Sequence, residues 1–382
     1  MTRQRLLVLA PTQRAASETF VRANLAGLPF ATTAYFGDEM PFHDPWRLAY
    51  GVAVALSKLL TRLGLRTWAS WPAAVVAFAL IRRHQPDLLL VEFGFHAVRV
   101  MEAAALADLP MVVHFRGSDL SAWSKFGVQR DRYHRLVQIL SGAIVKSEPM
   151  RRTLLELGLD EDRILVSASG ANAQLFHSAA PSSAPPVFLA VGRFVAKKGP
   201  LLTIRAFAQL VSEQPTPGLA LWMVGDGPLL PAAKTLVEQL GLMASVRFFG
   251  QCSQSEVAGL MRQVRGFVQH SVVAPDGDSE GNPVAVMEAQ LSGLPVVATR
   301  HAGIPEVVRH GESGWLVAEG DVAGMAEAIK QLAEDPELAS RWGKTGRRLV
   351  MQHFTTTQHF SDVAQFLRTV ESRLCAKPPG HD

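Results

Sequence analysis

Cysteine is scarce in this chain: Cys252 and Cys375 are the only two in 382 residues. Two thiols far apart give neither a disulfide framework nor a zinc-ligand spacing, which points to a reducing compartment and a cytoplasmic protein. Long apolar runs are missing too. None approaches the roughly 18 residues of a membrane-spanning helix, and Leu6–Ala10 is a strand's length rather than a leader. No low-complexity tract occurs. Charge of one sign is nearly balanced, with 38 Lys and Arg against 34 Asp and Glu, net +4, and a pI near 9.2. So small and scattered an excess argues against nucleic acid. It suits anionic ligands or an anionic membrane face. The remaining composition, 48% apolar and 19% charged, is that of an ordinary globular protein. A chain of this length is expected to form two domains rather than one core.

What the sequence does have is concentrated between Ser279 and Glu288. Asn282 is a favoured N-cap residue, and Pro283 suits the first helical position, where its missing N–H costs nothing. Val284–Leu291 continues as a helix, Gly293 ends it, and Pro295–Thr299 reads as a short buried strand. A helix start after a polar loop offers unpaired N–H groups and a positive dipole end, a site for a diphosphate. Glu280 precedes the helix and Glu288 lies about two turns inside it. Carboxylates flanking an anion site suit a sugar nucleotide, with sugar hydroxyls at one end and the ribose diol at the other. Spacing alone leaves open that both are ordinary surface charges.

In chain order, Leu6–Ala10, Asp87–Val91, Met111–Phe115, Gly142–Ser147 and Ile164–Asn172 read as strands of a first parallel sheet. Ser17 is positioned to cap a helix after the loop Gln13–Ala16. Residues 41–85 read as helical, with Trp46, Trp68 and Trp71, with Arg47, Lys58, Arg62, Arg66, Arg82 and Arg83, and with Leu56, Leu59, Leu60 and Leu63 at helical spacing. This insert is either a basic, aromatic surface for anionic lipid headgroups or a helical layer on the sheet with a solvated face. Strand ends in open α/β sheets carry ligands, so Glu92–Gly94 and His114–Asp119 are candidates. The Pro/Ser-rich stretch Pro181–Pro186 marks a domain boundary. Beyond it, Val187–Val191, Gly192–Phe194 and Lys197–Pro200 form a strand, a turn with cations and a helix start, which together read as a phosphate grip. Asp276-Gly277-Asp278 invites a metal reading. It lies in a segment that looks like a variable loop, and Arg193 with Lys198 already supplies positive charge, so leaving-group stabilisation without a metal is expected.

Several motifs occur in one order: Glu280–Ala289, Ser292–Thr299, Gly303-Ile304-Pro305-Glu306-Val307 and Gly311–Val317. Together they resemble the signature of family-4 retaining glycosyltransferases of the GT-B fold. The start Ser17-Glu18-Thr19-Phe20 resembles a branch found in bacterial exopolysaccharide and colanic-acid clusters. The resemblance implies an α/β protein of two Rossmann-like parallel-sheet domains facing across a cleft. Residues 1–180 would bind acceptor and 186–355 the nucleotide sugar, and 356–382 would form a C-terminal helix returning to the first domain. It implies that Arg193 and Lys198 bind the donor diphosphate, with Gly192, Gly225 and Gly227 in the adjoining turns. Gly281, Asn282, Pro283, Val284 and Ala285 would lie along the donor, Glu280 at its sugar and Glu288 at the ribose. His114-Phe115-Arg116-Gly117-Ser118-Asp119 is similar to the family's Phe-His-Gly-x-Asp segment. Arg116 stands where the histidine is usual and His114 two residues earlier, so Arg116, Asp119 and His114 are the acceptor-side candidates. The paired glycines many members carry in the first loop are replaced by Gln13–Ala16.

The implied reaction is retaining transfer of a hexose from a UDP- or GDP-linked sugar to a glycan or lipid-linked acceptor in exopolysaccharide or lipopolysaccharide synthesis. The nucleotide sugar would be the co-substrate, with no other cofactor and no metal. The enzyme would work in the cytoplasm, in peripheral contact with the inner face of an anionic membrane, and would not bind nucleic acid. Two alternatives remain open at this level: a sugar-nucleotide epimerase on the same fold, and a nucleotide-sugar-binding partner without catalysis.

Overall fold

The computed structural model describes residues 4–12, 19–65, 68–122, 127–213 and 216–375. The loop at Gln13–Ala16, the cap at Ser17 and Arg66 lie outside them. The chain separates into two compact units, Met1–Ser167 with Phe360–Asp382, and Ala168–His359. The Pro/Ser-rich stretch 181–186 falls inside the second.

The first unit runs β1 (Arg5–Ala10), α1 (Thr19–Gly27), β2 (Ala31–Phe36), α2 (Pro45–Arg62), α3 (Trp71–His84), β3 (Leu88–Glu92), α4 (Gly94–Leu106), β4 (Met111–His114), α5 (Ser118–Ser121), α6 (Arg130–Ile139), β5 (Gly142–Val145), α7 (Glu148–Glu156) and β6 (Ile164–Val166). Its sheet is parallel, in the order β2-β1-β3-β4-β5-β6. The central strands are buried on both faces, as continuous apolar runs require in a sheet covered on each side. The half-exposed edge strand β2, Ala-Thr-Thr-Ala-Tyr-Phe, carries no such run, which is why the sequence reading does not single it out. The stretch 41–85 forms two antiparallel helices. Asp44 caps α2 by accepting from the N–H groups of Trp46 and Arg47 at 3.0 and 3.1 Å. Ser57 Oγ accepts from the Ala73 N–H at 3.2 Å, and Arg83 lies over the Trp46 ring at 5.1 Å.

The second unit runs β7 (Val187–Val191), α8 (Pro200–Glu213), β8 (Ala220–Val224), α9 (Leu230–Gln239), β9 (Val246–Gly250), α10 (Gln254–Met261), β10 (Gly266–Gln269), α11 (Val284–Ser292), β11 (Val296–Thr299), α12 (Ile304–Val307), β12 (Gly314–Val317), α13 (Val322–Glu334) and α14 (Pro336–His353), followed by α15 (Thr356–Cys375). Its parallel sheet has the order β12-β11-β10-β7-β8-β9. From Phe360 onward α15 belongs to the first unit. There Val363, Ala364, Leu367 and Val370 join Leu6, Val8, Leu88 and Leu90 in one buried cluster.

Strand order reverses between β7 and β10 in the second unit and between β1 and β3 in the first. Loops leaving opposite ways at such a point open a crevice at the carboxyl ends of the strands. The residues flanking both switch points therefore include the turn after β7, the long loop after β10 and the end of β3.

Candidate functional site

In the second unit the loop after β7 and the loop after β10 are joined side to side. Gly199, at φ 53°, sits so close to β10 that a Cβ there would stand 1.9 Å from the His270 carbonyl oxygen. Only glycine fits that approach. The Val272 N–H donates to the Lys197 carbonyl at 3.0 Å. Buried Lys197 reaches on to Asp278 at 3.0 Å and to the Ser279 carbonyl at 3.1 Å. Lys198 Nζ lies 3.2 Å from Glu280 Oε1. Arg193 is exposed at the same turn, with no side-chain partner among the described residues. Arg193 and Lys198 line an open pocket beside Gly192, Phe194, Thr203 and Gln269.

The glycines serve packing between turns. Gly225 (φ 133°) and Gly227 (φ 151°) let the turn after β8 lie against Gly192–Phe194, where a Cβ would come within 2.0 Å of the Gly192 oxygen and 2.6 Å of the Phe194 oxygen. At Gly192 a Cβ would meet the Lys198 stem at 3.3 Å.

The helix start needs one correction. The helix begins at Val284, Pro283 occupies the cap position in an extended conformation, and no side chain caps it. Asn282 is not the cap: both its side-chain polar atoms are buried without a hydrogen-bond partner. Val286 donates to the Pro283 carbonyl at 3.1 Å. Among the described residues the N–H groups of Val284 and Ala285 have no partner, so the dipole end is open to an anion. The predicted stop holds, with Gly293 in the left-handed conformation at φ 100°.

The two glutamates differ in electrostatics. Burial pushes the Glu280 carboxyl up, but Lys198 and Lys197 outweigh it and hold the group below its usual range. Glu288 is also buried. Burial raises its pKa to about 7, offset only in part by Lys198 and by Gln254, whose Nε2 donates to Oε1 at 3.4 Å. A carboxyl poised near neutrality binds hydroxyl donors better once ionised.

A second layer was not legible in the sequence. The Glu280 N–H donates to His301 Nε2 at 3.0 Å, and His301 Nδ1 lies 2.6 Å from Glu319 Oε1. Since Nε2 accepts from an amide, Nδ1 carries the proton and donates to Glu319. Glu319 also accepts from the Val273 N–H at 2.8 Å. His301 and Glu319 thus tie the Glu280 loop at both ends. Replacing His301 with alanine strands a buried N–H, and is expected to weaken binding of an intact nucleotide sugar about tenfold while leaving the free nucleoside diphosphate unaffected. Equal losses for both ligands would show that His301 serves only general packing.

Asp276 and Asp278 do not stand apart as a ligand pair. Asp278 is engaged by Lys197, and Asp276 Oδ1 accepts from the Asp278 N–H at 3.1 Å. No group of three metal-ligating side chains occurs among the described residues.

The acceptor-side candidates gather in the first unit, at the carboxyl ends of β3, β4 and β5. Arg116 grips Glu92 Oε2 through Nε at 2.9 Å and Nη2 at 2.6 Å. Asn24 donates to Glu92 Oε1 at 3.1 Å, and His114 Nδ1 lies 3.6 Å from the same oxygen. Asp119 accepts from the N–H groups of Gly94, Arg116 and Gly117 at 2.8–2.9 Å. Burial raises its pKa against those hydrogen bonds. Burial, with Arg116 and Lys146, pushes His114 well below its usual range. Buried Lys146 is likewise pushed down by burial and by Arg116. Resemblance suggested direct roles for Asp119 and His114. Asp119 is buried on three backbone N–H groups, and buried His114 faces Asn24 and Glu92.

Residues 173–349 match the family Glycosyl transferases group 1. Over 329 residues the chain is 30% identical to an amylovoran biosynthesis glycosyltransferase of Erwinia amylovora, covering 82% of this chain and 79% of that one. It is 29% identical over 372 residues to a putative colanic acid biosynthesis glycosyltransferase of Salmonella typhimurium, covering 87% and 90%. Among solved structures, the fold is similar to Anabaena HepE in complex with UDP, with a TM-score of 0.74 at 19% identity, covering 96% of this chain and 100% of that one. It is similar also to a sucrose-phosphate synthase from Thermosynechococcus elongatus, with a TM-score of 0.73 at 19% identity, covering 97% and 100%.

Proposed function

The chain belongs to the group 1 glycosyltransferases, on the GT-B fold, and from that premise we propose a retaining hexosyltransferase of exopolysaccharide or lipopolysaccharide synthesis. It moves the sugar of a UDP- or GDP-linked donor to a glycan or lipid-linked acceptor, without a metal, at the inner face of the membrane. The second unit takes the donor and the first unit the acceptor. The colanic acid and amylovoran biosynthesis relatives support the polysaccharide class.

The observation that carries this reading is the place of Lys198, which lines one pocket with exposed Arg193 and lies 3.2 Å from Glu280 in the loop leading to the uncapped start of α11. The diphosphate sits over the Val284 and Ala285 N–H groups, with Arg193 and Lys198 against its oxygens. These fixed donors stabilise the charge that grows on the leaving phosphate without reorganising during reaction. Glu280, kept ionised by the two lysines, accepts from sugar hydroxyls, and Glu288 accepts from the ribose diol. The bond from the anomeric carbon to the phosphate oxygen breaks. The acceptor oxygen attaches to the same face, and its proton passes to the leaving phosphate.

Titration calorimetry of UDP and GDP, with EDTA present, tests the donor site. One nucleotide is expected to bind, and Glu288→Ala should weaken it by roughly ten- to a hundredfold. Because the Glu288 pKa is raised to about 7, the free protein is mostly protonated there below neutrality. Nucleotide affinity should therefore rise with pH through about 7, with proton release on binding, and Glu288→Gln should flatten that dependence. A pH-independent affinity in the wild type would remove Glu288 from the ribose.

A further inference from the structure

The pair α2–α3 in the first unit carries an apolar face on which none of the described residues packs. Of the sixteen exposed large apolar side chains among the described residues, ten lie between Met40 and Val75. On α2, Val52, Leu56, Leu59 and Leu63 recur at helical spacing along one stripe, all exposed. The opposite stripe of the same helix, Tyr50, Ala53, Val54 and Ser57, is buried. Thus α2 is apolar on both its inner and its outer face, whereas a helix on a soluble surface normally turns polar outward. The stripe continues over the hairpin tip through Leu65 and Trp68 to Trp71. Leu63 and Trp68, at 64% and 65% exposed, are among the most exposed of the set.

Charge is concentrated in the same place. Residues 40–85 contain six Lys and Arg against a single acid, Asp44, a local excess larger than the net +4 of the whole chain. The rest of the protein is therefore slightly acidic. Arg62 is exposed on the stripe itself, beside Leu59 and Leu63, and Arg82 and Arg83 are exposed at the far end of α3. Lys58 and Arg47 are partly engaged, by Asp38 and Asp44. Neither helix is long and apolar enough to cross a membrane.

We propose that the α2–α3 hairpin is a membrane-docking element that lies on an anionic bilayer. The tip residues Leu59, Leu63, Leu65 and Trp68 enter the headgroup–acyl boundary, and Arg62 rests among lipid phosphates. An outward apolar stripe, an interfacial tryptophan and cations without acids form the combination that binds a lipid surface in the plane of the interface. The basic excess selects an anionic leaflet over a neutral one. The element would bring the first unit to a lipid-linked acceptor. It rests on the reading above for that purpose only, because exposure and charge stand without it.

Flotation of the full-length protein with phosphatidylcholine vesicles, with and without roughly a third phosphatidylglycerol, is the test. The protein is expected to float with the anionic vesicles and to be released as salt rises. Leu59→Glu with Leu63→Glu should lower partitioning at least about tenfold, and Arg62→Gln should lower it severalfold on anionic vesicles only. Trp68 emission should shift to the blue on binding, a change absent in Trp68→Phe. These side chains are exposed, so the variants should keep the wild-type thermal unfolding and nucleotide affinity. Failure of nucleotide binding would therefore sink the donor reading and leave this one standing. The proposal is overturned by a wild type that ignores anionic vesicles or by variants that bind them equally. A dimer in light scattering that the same substitutions dissociate would also overturn it, since the face would then belong to a second copy.

Discussion

Replacing Lys198 with alanine is expected to lower donor turnover by about 10²- to 10³-fold, the effect of removing one fixed donor from a developing negative charge. The ammonium sits 3.2 Å from Glu280 and lines the pocket beside Arg193, so on the proposed reading it would face both the phosphate and the carboxylate at the sugar end. Its loss also removes the main influence holding Glu280 ionised, and activity should fall most steeply on the acid side. Lys197→Ala separates the two lysines. That ammonium is committed to Asp278 and the Ser279 carbonyl. Its removal loosens the loop after β10, and should raise the donor KM about tenfold with a smaller change in kcat. The measurement is release of nucleoside diphosphate from a nucleotide sugar under single-turnover and steady-state conditions. Equal kcat losses in the two variants would mean that Lys198 is a loop anchor like its neighbour.

Glu92→Ala should destabilise the first unit by about 3–5 kcal/mol, because a partner is removed from a buried charge pair. Glu92 and Arg116 are almost wholly buried, and the same carboxylate takes the Asn24 amide. Lys146 lies buried nearby. Without Glu92, the carboxylate left near these cations is that of Asp119, already holding three backbone N–H groups. A loss of that size corresponds to a fall in Tm of about 10 °C for a unit this large. The double variant Glu92→Met, Arg116→Met should recover much of it, since removing both charges leaves no orphan. Thermal unfolding of the three proteins checks the expectation. A shift below about 2 °C in Glu92→Ala would show that water reaches the cluster and screens it.

Much of this protein can be read locally. The apolar runs that became β1, β3, β4, β5, β7 and β11 are short, continuous and bounded by turn residues, and such runs have few ways to be buried other than a covered parallel sheet. The helix stop at Gly293 was equally readable, because only a residue tolerant of positive φ ends a helix in that way. Asn282 illustrates the opposite. Its type marks it as a cap, yet its side chain makes no bond to the helix amides, and the start of α11 is left uncapped.

What the sequence by itself determined is the central parallel strands, the helical spacing of Leu56, Leu59 and Leu63 and the ordered motifs that identify a glycosyltransferase. These are encoded by neighbours, through periodicity and backbone preference. Only the tertiary structure decided which lysine faces the pocket, that His301 and Glu319 hold the Glu280 loop, and that Asp119 accepts from Gly94 as well as from Arg116 and Gly117. Each of those depends on residues brought within hydrogen-bond reach across tens of positions. In a buried site a single such contact changes the charge and the availability of a side chain.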